Sequence, residues 1–187
     1  AWSLGVYQAS RMLAPFADRI TAAFAINGTE WPADDTRGIP RRIFHDTYAC
    51  LDSRRLDKFR RRMFSSREEY QSVLPHLPEE ADIRRLAAQL ERIYDANEAG
   101  DLAPAPFWTR AYVGAHDLIF PAAAQRNAWE NHPSGVETAA VSRCHYIPIE
   151  EIINSTISSY SRVATKFREA LDTYDRHAVA QRIIAVK

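Results

Sequence analysis

Residues 149–174, IEEIINSTISSYSRVATKFREALDTY, carry the most regular pattern in the chain. Side chains suited to one buried face recur there at intervals of four and three residues: Ile149, Ile153, Thr156, Tyr160, Val163, Phe167, Ala170 and Tyr174. This spacing follows the period of an α-helix. It predicts one long helix that begins at Pro148, runs almost to the C-terminus and packs along its length against the core or a partner.

Helical spacing also recurs upstream of this stretch. It covers residues 2–26 with a bend at Pro15, then 40–64, 67–74, 79–97, 107–120 and a short alanine-rich segment after Pro121. Alternating runs of Val, Ile and Thr, which would predict strands, are almost absent. The sequence therefore predicts an all-α protein, an irregular bundle of about six helices with a long C-terminal helix. We assign residues 1–187 to a single helical domain, with residues 1–39 as an alternative N-terminal helical appendage.

The composition is that of a soluble globular protein. Of the 187 residues, 46% are apolar and 26% are charged, which argues against wholesale disorder. The 24 basic and 24 acidic residues cancel, so no global field attracts the chain to nucleic acid or to an anionic membrane. No apolar run approaches the roughly 18 to 20 residues that a membrane-spanning helix needs, so we expect the protein not to be transmembrane.

The cysteines and the first residue bear on the compartment. Cys50 and Cys144 lie far apart and match no metal-binding or redox spacing, which is typical of a reducing compartment. This indicates the cytoplasm, or an organelle matrix after removal of a targeting peptide. Ala1 is not an initiator methionine, so we expect a processed form or an excised domain.

We recognise none of the common catalytic motifs in this sequence. A phosphate-binding glycine loop, a nucleophile elbow, a paired CxxC and an HExxH are all missing from what we find. We therefore predict a non-enzymatic helical subunit or interaction module of a larger assembly, with other protein subunits as partners, no catalytic residue and no cofactor.

A basic segment is the candidate interaction site. Seven cations occur within fourteen residues: Arg54, Arg55, Lys58, Arg60, Arg61, Arg62 and Arg67. Within this run, apolar residues recur at helical spacing: Leu56, Phe59 and Met63. This predicts a helix with one apolar stripe and cations on the rest of its surface. The segment is either a solvated charged face or the docking site of a protein partner with an acidic surface, and anionic lipid or RNA is a further alternative for this 54–67 segment.

Two histidine–aspartate pairs, His45-Asp46 and His116-Asp117, suggest an alternative function. The second pair lies in AYVGAHDLIF, which resembles the paired ligands of the HD-domain metal phosphohydrolases, an all-α family. The resemblance implies His116 and Asp117 as catalytic residues. It also implies a divalent metal bound by four residues: His76, His116, Asp117 and Asp172. Such a metal would lower the pKa of a bound water for attack on a phosphoester.

A weaker resemblance involves the same region. Arg110 precedes His116 by six residues in RAYVGAH, a spacing similar to that of the helical HEPN ribonucleases. In that family the pair engages a phosphate beside a ribose hydroxyl. The alternative is that Arg110 forms a surface ion pair and His116 packs.

Overall fold

A computed structural model describes residues 1–77, 82–100 and 103–157. Three of its segments are strands: β1 (Phe24–Ile26), β2 (Arg110–Gly114) and β3 (Glu137–Val141). They form a parallel sheet in the order β1-β2-β3, in which Phe24 is paired with Arg110, and Arg110 with Glu137. The protein therefore has an α/β fold, and the predicted all-α bundle is wrong.

The helices of the described residues surround this sheet. They are α1 (Leu4–Leu13), α2 (Arg41–Ala49), α3 (Ser53–Arg62), α4 (Arg67–Val73), α5 (Ile83–Glu98), α6 (Ala122–Glu130) and α7 (Ile149–Ile157). Two short 3-10 helices follow α1 and α4, at Ala14–Arg19 and Leu74–His76. The predicted long C-terminal helix is thus seen in its first nine residues, and Phe167 and Asp172 lie outside the described residues.

Two of the predicted helices are wrong because they contain buried parallel strands. Every residue of β1 and of β2 is buried, so these strands read as short apolar runs without the alternation of a half-exposed strand. The predicted helix at 107–120 is in fact β2 followed by a turn. The predicted helix at 2–26 is α1, a 3-10 turn and then β1.

Side chains that cap helix N-termini mark where helices between β1 and β2 begin. The predicted helix at 40–64 is divided into α2 and α3, because Asp52 caps α3 by accepting a hydrogen bond from the Arg55 amide. The predicted cap of α4 is confirmed, since the Ser66 hydroxyl accepts from the Glu69 amide at 3.1 Å.

Residues 27–109, between β1 and β2, carry helices α2 to α5 and one side of the apolar core. Phe44 of α2, Tyr70 of α4 and Ile93 of α5 are buried together with Tyr7 of α1 and Phe120, which follows β2. A second buried cluster packs α1 and α6 against the sheet, around residues such as Val113 and Trp129.

Within the described residues, we find no helix with the length and apolar character needed to cross a membrane.

Candidate active site

The turn into α1 presents a serine. The Ser3 amide donates to the Ile26 carbonyl at 2.9 Å, so residues 1–3 run beside β1, and α1 begins directly afterwards at Leu4. Ser3 has φ 55° and ψ −133°, a backbone conformation that a residue with a side chain rarely adopts. Such a sharp strand-to-helix turn exposes the hydroxyl of a nucleophile at the edge of a sheet.

A glycine on the neighbouring loop permits this turn. Gly28 follows β1, and a Cβ atom at that position would lie 2.2 Å from the Ser3 carbonyl oxygen. That separation is far below van der Waals contact, so the loop can pass the serine only without a side chain. The sequence around the turn is Ala1-Trp2-Ser3-Leu4-Gly5, a nucleophile elbow with alanine in place of its first glycine.

His145 connects the serine to an aspartate. Its Nε2 lies 2.9 Å from Ser3 Oγ, and its Nδ1 lies 2.9 Å from Asp117 Oδ2. The His145 and Asp117 side chains are almost completely inaccessible to solvent. The imidazole lies between the Phe120 ring, stacked on it at an interplanar angle of 6°, and the Trp2 ring, whose centroid is 4.9 Å away. The three side chains therefore form one continuous hydrogen-bonded chain.

The loop after β2 holds the aspartate. Asp117 Oδ1 accepts from the backbone amides of Ile119 and Phe120, at 2.8 and 3.0 Å. Its Oδ2, the oxygen that meets His145, also accepts from Gln125 Nε2 at 3.0 Å. These donors fix both carboxylate oxygens, which orients the imidazole in turn.

Asn27 joins the loops that carry these residues. Its Oδ1 accepts from the Gly114 amide at 2.6 Å, at the end of β2. Its Nδ2 donates to the carbonyls of Cys144 and His145, at 2.9 and 2.7 Å, after the end of β3. One buried side chain thus ties together the ends of all three parallel strands, the edge at which α/β folds place their sites.

A cavity opens beside the serine. It has a volume of about 200 Å³, and Ser3 and His145 form part of its wall. Most of the remaining wall is apolar and comes from the helices of 27–109, with the following side chains: Ile43, Phe44, Leu51, Leu56, Phe59, Met63, Leu86, Leu90 and Ile93. An apolar chain bound here would present its end to the Ser3 hydroxyl.

The residues that the HD resemblance assigns to a metal site are not found together among the described residues. Asp117 is buried against His145, whereas the side chains of His116 and of His76 are exposed. Asp172 lies outside the described residues, and no group of three or more potential metal ligands occurs within them. The other pair, His45-Asp46, is exposed on α2.

Arg110 has a structural place in β2. It forms an ion pair with Glu137 of the neighbouring strand, and its side chain is almost fully buried. Burial alone would lower the pKa of Arg110, but hydrogen bonds with Glu137 and the Tyr112 hydroxyl outweigh it and raise the pKa above its usual value. The alternative to the HEPN resemblance is therefore only partly right: Arg110 forms an ion pair, but its side chain is buried and His116 is exposed.

The predicted basic segment forms α3 and the turn into α4. Arg54, Arg55, Lys58, Arg61, Arg62 and Arg67 are exposed, and Arg61 pairs with Asp57 at 3.0 Å. Arg62 Nη2 donates to the Leu118 carbonyl at 2.6 Å and so ties α3 to the aspartate loop. Arg60 alone of this set is only partly exposed, and it lines the cavity.

Comparison with known proteins decides the family. Residues 1–149 match the family described as pimeloyl-ACP methyl esterase BioG. The chain belongs to the BioG family. The crystal structure of BioG from Haemophilus influenzae superposes with a TM-score of 0.68 at 29% identity, and the match covers 79% of this chain and 65% of that one.

Two curated relatives have similar sequences. A malonyl-[acyl-carrier protein] O-methyltransferase of Bacteroides fragilis is 34% identical over 188 residues, which is 100% of this chain and 38% of that protein. An uncharacterized protein of Haemophilus influenzae is 36% identical over 132 residues, or 69% of this chain and 58% of that protein. This chain therefore spans about two fifths to three fifths of the curated relatives it matches.

Membership in the BioG family corrects the predicted function. The family is one of enzymes, so both the non-enzymatic interaction module and the HD-type phosphohydrolase are wrong. Of the residues in the hydrogen-bonded chain, sequence reasoning selected only Asp117, and for metal binding. Ser3 was missed because the elbow begins with Ala1, and no local signal marks His145.

Proposed function

We propose that this chain is the catalytic part of a methyl esterase that hydrolyses the methyl ester of an acyl group attached to a carrier protein, a pimeloyl-ACP methyl esterase. One observation carries the proposal: Ser3 Oγ, His145 and Asp117 are joined by two contacts of 2.9 Å. This is the arrangement of a serine nucleophile, its general base and the carboxylate that orients the base.

Acylation follows from this geometry. Ser3 Oγ attacks the ester carbonyl carbon while His145 Nε2 accepts the hydroxyl proton. Leu4 is the first residue of α1, so its amide has no acceptor within the helix and is available to the oxyanion of the tetrahedral intermediate. His145 then gives its proton to the departing methoxide, and methanol leaves an acyl group esterified to Ser3.

Deacylation repeats the sequence with water. His145 accepts a proton from water as the water oxygen attacks the acyl carbonyl. Collapse of the second intermediate breaks the bond to Ser3 Oγ, which regains its proton from His145. The product is a free carboxylate. Throughout, the Asp117 carboxylate stabilises the imidazolium that forms at each step.

The cavity and α3 support an acyl group on a carrier protein as the substrate. The apolar wall suits a methylene chain and excludes water from it. The exposed cations of α3 lie beside the cavity, because α3 also contributes Leu56 and Phe59 to its wall. A carrier protein with an acidic surface would dock there while its acyl group enters the cavity.

The proposal is tested by methanol release from a methyl-ester acyl-carrier substrate, with the protein as it is encoded. We expect hydrolysis by the wild type and a loss of about 10⁴-fold or more in kcat for Ser3→Ala, because the nucleophile is removed. Ser142→Ala, at an exposed serine after β3, is the matched control and should be fully active. Retained activity in Ser3→Ala would refute the proposal.

A further inference from the structure

Arg60 is an unusual component of the cavity wall. It lines the same cavity as Ser3 and His145, among mostly apolar residues. Its Nε is inaccessible to solvent and has no hydrogen-bond acceptor among the described residues. A buried N–H without an acceptor is unfavourable, and the few that occur in native proteins require an explanation. A ligand that supplies the acceptor is one such explanation.

Most other polar groups in the wall are already engaged. Ser3 and His145 bind each other, Arg62 donates to the Leu118 carbonyl, and the Thr47 hydroxyl donates to the Ile43 carbonyl. Gln89 also lines the cavity but carries no charge. Of the two arginines in the wall, Arg60 is the one with a buried N–H that has no acceptor among the described residues.

The size of the cavity limits what can lie between Ser3 and this guanidinium. A volume of about 200 Å³ corresponds to roughly seven groups the size of a water molecule. A short acyl chain fits in this space, and when such a chain is attached to a carrier it has a carbonyl oxygen at the end away from the methyl ester. A guanidinium donates well to such a terminal oxygen.

We propose that Arg60 is a specificity-determining residue that donates to the carbonyl oxygen at the far end of the acyl chain, opposite the ester that Ser3 attacks. In a carrier-bound substrate this oxygen belongs to the thioester. The inference rests on the proposed function and adds to it, because it explains how a methyl ester of a short dicarboxylic chain is selected over the methyl ester of a plain alkanoic acid. Arg60 touches the substrate but takes no part in the proton transfers.

The test separates this role from docking of the carrier. It compares two small methyl esters: the N-acetylcysteamine thioester of monomethyl heptanedioate, which has the second carbonyl, and methyl heptanoate, which lacks it. For Arg60→Met we expect kcat/KM toward the thioester to fall roughly tenfold to hundredfold, mainly through KM, because a hydrogen bond to a charged donor is lost. Methyl heptanoate should be hydrolysed as by the wild type.

Two further variants and a stability measurement distinguish a contact with the substrate from a structural role of Arg60. Arg60→Lys should restore most of the preference, since an ammonium also donates. Arg126→Met is the matched control, because Arg126 is exposed on α6 and does not line the cavity, and it should alter the hydrolysis of neither substrate. The melting temperature of Arg60→Met should not fall, since the substitution removes an N–H that has no acceptor.

Two results would overturn the inference. One is an equal loss on both esters, which would assign Arg60 a structural role. The other is an Arg60→Met variant with unchanged preference, which would leave the proposed function intact. A wild type that hydrolyses neither ester nor the carrier-bound substrate would instead refute the proposed function, and the inference with it.

Discussion

At the scale of single residues, Asp117 shows how a correct residue can be selected for the wrong reason. The adjacent letters His116-Asp117 suggested a ligand pair, yet the histidine that meets Asp117 is His145, 28 residues further along the chain. The side chain of His116 is exposed instead. His116 and Asp117 lie in the turn that follows β2, and of the two only Asp117 is buried.

Asp117→Asn tests the role of this carboxylate. We expect a fall of about 10⁴-fold in kcat, because an amide in place of Oδ2 can present a donor to His145 and favour the wrong tautomer. The remaining carbonyl oxygen can still accept from the Ile119 and Phe120 amides, but the buried hydrogen bond from Gln125 Nε2 to Oδ2 is lost, so the melting temperature should fall modestly.

The chain provides a matched control for this substitution. Asp46 belongs to the other histidine–aspartate pair and is exposed on α2. Asp46→Asn should therefore have wild-type activity. Ester hydrolysis that survives in Asp117→Asn, or falls equally in both variants, would argue against Asp117 as the residue that orients His145.

At the scale of elements, local signals predicted helices better than strands. The helical spacing in α4 and α5 depends on residues within one or two turns, and both helices were predicted from it. The three residues of β1 and the five of β2 are stabilised by strands distant in sequence and are buried on both faces. Nothing local distinguishes such a run from part of a buried helix.

The proposed docking of the carrier protein on helix α3 can be tested by reversing charges on this helix. Arg54 and Lys58 lie one turn apart on its exposed surface. Reversing both with Arg54→Glu and Lys58→Glu should raise KM for a carrier-bound methyl ester, most strongly at low salt, because the attraction to an acidic surface becomes repulsion. The kcat/KM for a small methyl ester without the carrier should not change.

A control double variant makes the same change of charge outside α3. Arg84 on α5 and Arg126 on α6 are both exposed, and Arg84→Glu with Arg126→Glu should leave KM unchanged. Equal effects of the two double variants would mean that net charge, rather than α3, governs the interaction. Binding of the α3 variant to anionic vesicles or RNA would be compared in the same way.

At the scale of the whole molecule, the site exists only because the fold brings distant segments together. Ser3 and His145 are 142 positions apart, and Asn27 connects the loops that follow β1, β2 and β3. An irregular helical bundle offers no such common edge, so the error in fold class concealed the active site as well. The altered first position of the elbow removed the one local signal that could have corrected it.

The hydrogen-bonded chain of Ser3, His145 and Asp117 is tested most directly by labelling with a fluorophosphonate, which reacts with activated serines. Mass spectrometry of the labelled protein should locate a single adduct on Ser3. Labelling should be absent in Ser3→Ala and strongly slowed in His145→Gln, because the general base is lost. An adduct at another residue, or equally fast labelling of Ser3 in His145→Gln, would contradict the account.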